Sequence, residues 1–114
     1  MEQGIQPKRA MLAEFVDGIL SFMREQIVSI ILYGSVARGT DEPGSDVDIA
    51  LILKSKMDVE TESRLLDLST DLDLKYDVVL SVIDVDEEFF LKWKDLIPFY
   101  TNVEKEGIVL WKAA

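Results

Sequence analysis

Two short apolar runs on either side of a glycine-rich loop constrain the fold of this chain more than any other feature. The segment Ile27–Tyr33 is compact, rich in β-branched residues and ended by Gly34, which predicts a buried strand. Val47–Leu53 alternates and is also β-branched, which predicts a second strand. Glycines, a proline and small polar residues are frequent between the two, so Gly34–Ser45 is expected to form a loop with one helical turn inside it.

The remaining segments predict helices and further strands around this pair. In chain order, the predicted elements are a helix over Pro7–Glu25, the two strands, a helix over Val59–Leu72, a strand over Tyr76–Ile83, a helix over Asp86–Leu96 that Pro98 stops, and a short strand or docking tail over Gly107–Trp111. This order predicts an α+β (α/β-like) fold, in which a small mixed β-sheet is flanked by helices. A length of 114 residues predicts a single domain over residues 1–114.

Composition restricts the chemistry that the chain can perform. It contains no cysteine and no histidine, which excludes a thiol nucleophile, a Ser-His-Asp triad and a zinc site with thiolate or imidazole ligands. Any catalysis must therefore depend on carboxylates and hydroxyls.

The charge distribution restricts the partners. The formal net charge is −10, and residues 57–88 hold eleven acids and two bases, so this segment supplies nine of the ten net negative charges. Such a chain repels phosphate backbones and anionic lipids, so we expect no direct duplex nucleic-acid binding and no membrane binding. A basic partner or a divalent cation suits the acidic segment. The polar first ten residues contain no signal-peptide core, and a cytoplasmic location is expected.

Two acidic residues at the start of the second predicted strand are the first candidate site. Residues two apart in a strand project from the same face, so Asp46 and Asp48 should lie side by side while Val47 points into the core. Two adjacent carboxylates repel unless a cation lies between them, and hard oxygen ligands at this spacing suit Mg²⁺. The alternative is a strand whose outer face is simply acidic.

The Gly34-Ser35 pair at the end of the first strand is the second candidate site. Glycine allows a sharp turn and a close ligand, and free N–H groups at the start of a helical turn attract anions. The Ser35 hydroxyl can donate to a phosphate oxygen. Arg38 could bind phosphate or could pair with its acidic neighbours Asp41 and Glu42. The alternative is an ordinary turn that ends a strand.

Taken together, these residues resemble a known family. Gly34-Ser35, ten further residues and then Asp46-Val47-Asp48 are similar to the signature of the DNA polymerase beta-like nucleotidyltransferase superfamily. The fuller text, GSVARGT followed by SDVDIALIL, resembles its minimal nucleotidyltransferase (MNT) group, which includes the antitoxin partners of HEPN-domain toxins. The resemblance covers about residues 27–110. Val36 departs from it, because many relatives have a basic residue there.

The resemblance implies transfer of a nucleoside monophosphate from a nucleoside triphosphate. In the family, two divalent ions are bound by the two motif aspartates and by a third carboxylate on a later strand. Carried over, Asp46 and Asp48 would be catalytic metal ligands for Mg²⁺, and Gly34 and Ser35 would hold the β- and γ-phosphates, with Arg38 a further nucleotide contact. Asp77, near the start of the third predicted strand, fits the third carboxylate best. Asp84 and Asp73 are the alternatives.

The resulting hypothesis is an ATP-binding, magnesium-dependent transferase. A chain without the additional substrate domain of larger relatives should find its acceptor on another protein, so AMP transfer from ATP to a tyrosine of a HEPN toxin, with this chain as antitoxin, is the leading interpretation. The competing hypothesis is a catalytically weak binding module that neutralises a basic partner by contact alone. The aromatic C-terminal third is read mostly as core, with one or two side chains left for a partner or homo-oligomer surface.

Overall fold

A computed structural model describes residues 8–42 and 44–114 of the chain. Its elements are α1 (Arg9–Met23), a 3-10 turn (Arg24–Gln26), β1 (Ile27–Tyr33), α2 (Gly34–Arg38), β2 (Val47–Leu53), α3 (Val59–Tyr76), β3 (Leu80–Asp86), α4 (Glu87–Trp93), α5 (Pro98–Glu106) and β4 (Ile108–Lys112). The strands form one four-stranded sheet in the order β3-β2-β1-β4. The predicted α+β class, with a small mixed sheet and flanking helices, is confirmed.

The sheet is mixed because of the way in which its strands are connected. β1 pairs antiparallel with β2 and with β4, whereas β2 and β3 run parallel. A parallel pair needs a long crossover, and the 18-residue helix α3 provides it. The short loop after α2 can instead join the antiparallel strands β1 and β2. Both strands that flank the glycine-rich loop therefore lie in the centre of the sheet.

Helices cover both faces of the sheet. On one face, α1 and α3 pack against alternate residues of the central strands, and Phe15, Ile19 and Ile49 are completely buried there. Each such side chain stabilises the fold by about 1.5–3 kcal/mol relative to an exposed position. The opposite face has a smaller core, in which Phe90 of α4 and Val103 of α5 pack with sheet residues. This second face is the one on which the candidate site lies.

The observed bounds confirm part of the predicted elements. Strands β1 and β2 have the predicted bounds, and β4 confirms a strand near the end of the chain. Helix α1 ends two residues earlier than predicted, while Pro7, the predicted start, and Pro43 of the loop lie outside the described residues. Within the described part, no helix is long and apolar enough to cross a lipid bilayer.

Two predictions in the second half of the chain were wrong. The strand expected over Tyr76–Ile83 occupies Leu80–Asp86, because α3 continues to Tyr76 and Asp77 then adopts a left-handed conformation that ends it. Pro98 does not simply stop a helix, since α4 has already ended at Trp93. It occupies the first position of α5, where its fixed φ and missing N–H suit a helix start. The sequence interpretation missed α5.

Candidate active site

The bend between β1 and α2 requires a glycine. Gly34 has a φ of +78°, a left-handed conformation that side chains strain, and α2 begins at this residue. A Cβ atom added at Gly34 would lie 3.2 Å from Cγ of Asp48 and would overlap its carboxylate oxygen. Helix α2 ends at Arg38 and is capped by Gly39, also left-handed, whose N–H donates to the carbonyls of Ser35 and Val36. The sharp turn expected at Gly34 is therefore present, and it brings the backbone directly against the Asp48 carboxylate.

The two motif aspartates lie where β2 begins. Asp46 is exposed and immediately precedes β2, Val47 is completely buried, and Asp48 is half-buried on the face that carries the smaller core. Burial and the negative charge of Asp46 raise the pKa of the Asp48 carboxyl above its ordinary value, while the charge of Arg38 opposes that rise. The carboxylates of Asp46 and Asp48 are therefore close enough to repel each other.

Neither aspartate forms a salt bridge within the described chain, although the charge of Arg38 acts on Asp48. Among residues 8–42 and 44–114, the ion pairs involve other acids: Asp41 pairs with Lys8 at 3.2 Å, and the remaining pairs lie elsewhere. A half-buried carboxylate with a like-charged neighbour and no ion-pair partner offers hard oxygen donors that fit Mg²⁺. The residues present therefore fit the divalent cation that the sequence analysis expected.

Arg38 is close to the site and is held by another helix. Its Nη1 lies 3.4 Å from Oε1 of Glu106, the last residue of α5, and both side chains are about half exposed. The proposed pairing of Arg38 with Asp41 or Glu42 is not observed, and Asp41 pairs with Lys8. An exposed ion pair of this kind contributes 0–1 kcal/mol, so Arg38 can exchange its partner for a phosphate at little cost.

Asp77 does not lie on a strand. It caps the C-terminus of α3 with a φ of +52°, three residues before β3 begins. It lines a surface cleft of about 560 Å³ together with Lys8, Asp41, Glu42, Gly44, Ser45, Val78 and Val79. That cleft adjoins the motif loop but is not lined by Gly34, Ser35, Asp46 or Asp48. No group of three acidic side chains within the described residues is close enough to hold a metal. The strand position predicted for Asp77 was wrong, and its role as a ligand stays a prediction.

The two alternative third carboxylates have structural roles or face away. Oδ1 of Asp73 accepts a hydrogen bond of 2.9 Å from the backbone N–H of Leu80, which fixes the start of β3. Asp84 lies in register with Leu51, so it is on the sheet face that α1 and α3 cover. Asp86 caps α4 by accepting from the N–H of Phe89, as expected for the acidic run at that position. Neither Asp73 nor Asp84 shares the face of Asp48.

Tyr33 belongs to the site although the sequence analysis gave it no role. It pairs with Asp48 across β1 and β2, and Asp48 in turn lies in register with Ser81 of β3. Residues opposite one another in a sheet share a face, so Tyr33, Asp48 and Ser81 form a row. Burial and the charge of Asp48 raise the pKa of the Tyr33 phenol. Its position directly before Gly34, with the same alternation as Asp48, was the signal that could have identified it.

The aromatic residues of the C-terminal third are less buried than predicted. Phe90 is buried, whereas Phe89 and Phe99 are 46% and 38% exposed. The other aromatic residues of this segment, Trp93, Tyr100 and Trp111, are partly buried. Since Tyr100 and Trp111 pack against the two cores, the prediction of mostly core rings with one or two at the surface is confirmed in part. Several surround Tyr33 and Tyr100 on the face that carries the candidate site.

Comparison with protein families and curated proteins shows which proteins this chain is similar to. The model of the family "Polymerase beta, Nucleotidyltransferase" matches residues 19–113. A Methanocaldococcus jannaschii protein named "Putative protein adenylyltransferase MJ0604" is 41% identical over 100 residues, covering 88% of this chain and 94% of that protein. A second protein of the same organism, named "Putative protein adenylyltransferase MJ0141", is 29% identical over 72 residues. The match covers 63% of this chain and 73% of that protein.

Solved structures share the fold. A crystal structure of a toxin-antitoxin with AMP-PNP superposes with a TM-score of 0.59 at 21% identity, covering 87% of this chain and 72% of that one. A mutant of the toxin-antitoxin MntA-HpeT gives a TM-score of 0.58 at 19% identity, covering 86% of this chain and 71% of that one. A Sulfolobus solfataricus structure described as a "putative nucleotidyltransferase" gives 0.54 at 22% identity, covering 96% and 86%.

Proposed function

Because this chain belongs to the polymerase beta nucleotidyltransferase family, we propose that it transfers AMP from ATP to a protein hydroxyl. The acceptor in this proposal is a tyrosine of a HEPN-domain toxin, and the chain acts as the antitoxin. The observation that carries the proposal is the contact between the Gly34 bend and the Asp48 carboxylate, which brings the backbone of the bend directly against one of two adjacent acids.

Similar proteins support the proposed substrate and partner. Two relatives carry the name of protein adenylyltransferases, and two structures with the same fold are toxin-antitoxin complexes, one of them with AMP-PNP. The strongly acidic segment 57–88 suits a basic partner protein. The cytoplasmic location and the single domain over residues 1–114 are part of the proposal.

In the proposed mechanism, backbone N–H groups of the bend and the Ser35 hydroxyl hold the β- and γ-phosphates. Asp46 and Asp48 would hold Mg²⁺, which would supply positive charge to the triphosphate and to the pyrophosphate leaving group. Asp77 stays the predicted third ligand, although the described residues bring no three acidic side chains together. Arg38 leaves Glu106 to contact a phosphate oxygen.

The bonds that change are few. The acceptor hydroxyl oxygen forms a bond to the α-phosphorus, and the bond from that phosphorus to the bridging oxygen of the β-phosphate breaks. Pyrophosphate leaves with the electron pair, and the hydroxyl proton passes to water. Since the chain has no histidine, its part in the reaction is orientation and charge stabilisation rather than proton transfer by imidazole.

The test is transfer of label from α-labelled ATP to the partner that co-purifies with the chain, with Mg²⁺ present. We expect Asp46→Asn and Asp48→Asn to reduce labelling by more than about 100-fold. Mutation of a residue that only hydrogen-bonds to a metal ligand already reduces metal affinity or activity by about 10–100-fold. Asp84→Asn is the matched control, since it removes the same charge from the same sheet on the opposite face. Asp77→Asn tests the third ligand, with Asp73→Asn beside it.

A binding module remains the second candidate, because the acidic segment could neutralise a basic toxin without catalysis. Mass spectrometry of the co-purified partner identifies both the protein and the modified residue. If the parent chain transfers no label, and if neutralisation survives both Asp46→Asn and Asp48→Asn, the binding module replaces the transferase.

A further inference from the structure

A small aromatic surface adjoins the candidate active site. The rings of Tyr33 and Phe99 meet edge to face, with centroids 5.4 Å apart and an interplanar angle of 90°. Phe99 lies in the first turn of α5, and this helix packs on β1. We call Tyr33 and Phe99 together the aromatic shelf.

The shelf is continuous with the residues that would hold the triphosphate and the cation. Tyr33 is the residue before Gly34 in the chain and the partner of Asp48 across the sheet. Directly opposed strand residues have Cβ atoms about 4.5–5.5 Å apart. A group bound at Asp48 and the Gly34 bend therefore has the shelf as its neighbour on one side.

Phe99 is available to a planar ligand. Its side chain is 38% exposed, although it lies beside a hydrophobic core. Its aromatic neighbours in the described chain are Tyr33 at 90° and Tyr100 at 62°, with a centroid distance of 5.6 Å to the latter, so neither ring is stacked parallel on it. The exposed part of the Phe99 ring therefore offers a flat apolar surface, and aromatic rings favour offset-stacked partners.

We propose that the aromatic shelf stacks the base of the nucleoside triphosphate, with Phe99 as the main contact. This inference rests on the proposed function and adds to it the residue that recognises the base. A triphosphate held at Gly34–Ser35 and Asp46/Asp48 must place its ribose and base next to the site, and a flat, partly exposed ring is the chemical partner of a flat base. Stacking responds to the size of the base, so purine nucleotides bind better than pyrimidine nucleotides.

The test separates the base from the phosphates. Calorimetry measures binding of Mg²⁺-ATP and of Mg²⁺-tripolyphosphate, which has the same phosphate chain without a nucleoside. Phe99→Leu keeps the apolar volume but removes the ring, and we expect it to weaken ATP binding about fivefold or more while tripolyphosphate binding stays unchanged. Phe99→Trp should restore ATP binding. Phe89→Leu is the matched control, because Phe89 is a comparably exposed ring that contacts Tyr100 but makes no ring contact with Tyr33.

Three results would overturn the inference. The first is equal ATP affinity for Phe99→Leu and the parent chain while tripolyphosphate still binds, which removes the base contact but leaves the proposed function standing. The second is loss of partner capture by Phe99→Leu with unchanged ATP affinity, which makes the shelf a docking surface for protein. The third is a parent chain that binds neither ATP nor tripolyphosphate, which removes the proposed function as well. Circular dichroism of each variant checks that it is folded.

Discussion

At the scale of single residues, the absence of a Cβ atom at Gly34 permits both the left-handed bend and the close approach of Asp48. Gly34→Ala introduces a methyl group that overlaps the Asp48 carboxylate, and it forces a side chain into a left-handed conformation. The conformation alone costs about 1–2 kcal/mol of folding free energy. We expect Gly34→Ala to abolish Mg²⁺-ATP binding as well, because Asp48 has to move.

Gly44→Ala supplies the matched control for that prediction. Gly44 has a φ of +90°, and a Cβ atom added there has no neighbour within 4 Å. Urea unfolding should show the conformational cost in both variants and a larger loss of stability in Gly34→Ala, because only there does the methyl group overlap Asp48. Calorimetry should show lost nucleotide binding in Gly34→Ala alone. Normal ATP binding by Gly34→Ala would mean that Asp48 is not part of the nucleotide site.

At the scale of elements, a polar contact joins helices α1 and α3. Glu14 of α1 accepts hydrogen bonds from the Tyr76 hydroxyl and from Lys75 Nζ, the latter at 3.0 Å. The bond from Tyr76, and then the bond from Lys75, hold the pKa of the Glu14 carboxyl below its usual 4.5. A lowered folded-state pKa stabilises the fold above the unfolded pKa, and this contribution is lost as the pH falls through the folded value.

Glu14→Gln should therefore destabilise the protein at pH 7, and the difference from the parent chain should shrink as the pH is lowered below about 4.5. Asp17→Asn, an exposed acid on the same helix, controls for the loss of one negative charge. Urea unfolding at several pH values measures both variants. A Glu14→Gln difference that is the same at pH 7 and pH 3 would show that the carboxylate charge has no part in joining α1 to α3.

The elements that the sequence predicts well are those whose signal is local. β1 and β2 are dense β-branched runs with clear ends, and the Gly34–Asp48 motif that joins them is contiguous, so its geometry follows from neighbouring residues. The start of β3 is not a local property. Tyr76 reads as strand by propensity, yet its contact with Glu14 of α1 extends the helix past Leu72. The position of Asp77 depends on that extension, and for this reason the sequence placed it on a strand.

The aromatic shelf is a second feature that local patterns do not predict. Pro98 is ambiguous between ending one helix and beginning another, and only packing of α5 on β1 decides it. If α5 is not predicted, nothing places Phe99 on the sheet. Its contact with Tyr33 joins two residues that are far apart in the sequence, so local patterns do not reveal it. The motif residues are therefore predictable from the sequence, whereas the aromatic shelf is not.

At the scale of the whole molecule, a ligand that binds only the folded state raises the stability of the entire chain. At a Mg²⁺-ATP concentration of 100 times Kd, this linkage amounts to about 2.7 kcal/mol. For a domain of this size, we expect Tm to rise by roughly 10 °C. The shift should be lost when EDTA removes the cation and in Asp48→Asn, and it should be kept in Asp84→Asn.

Thermal unfolding followed by circular dichroism measures this shift without any partner protein. The proposed site would be contradicted by a shift of equal size in Asp48→Asn, because ATP would then bind elsewhere on the molecule. An equal shift with and without EDTA would exclude the cation from nucleotide binding.

The placement of α5 and β4 has a consequence for biosynthesis. Residues 98–112 leave the ribosome after every other described element, yet β4 closes the open side of β1 and α5 covers the face on which Asp48 lies. A nascent chain can therefore contain the whole glycine-aspartate motif while β1 still has an unpaired edge and Tyr33 still lacks its contact with Phe99. A chain that stalls before α5 therefore holds the motif without the helix that covers its face of the sheet.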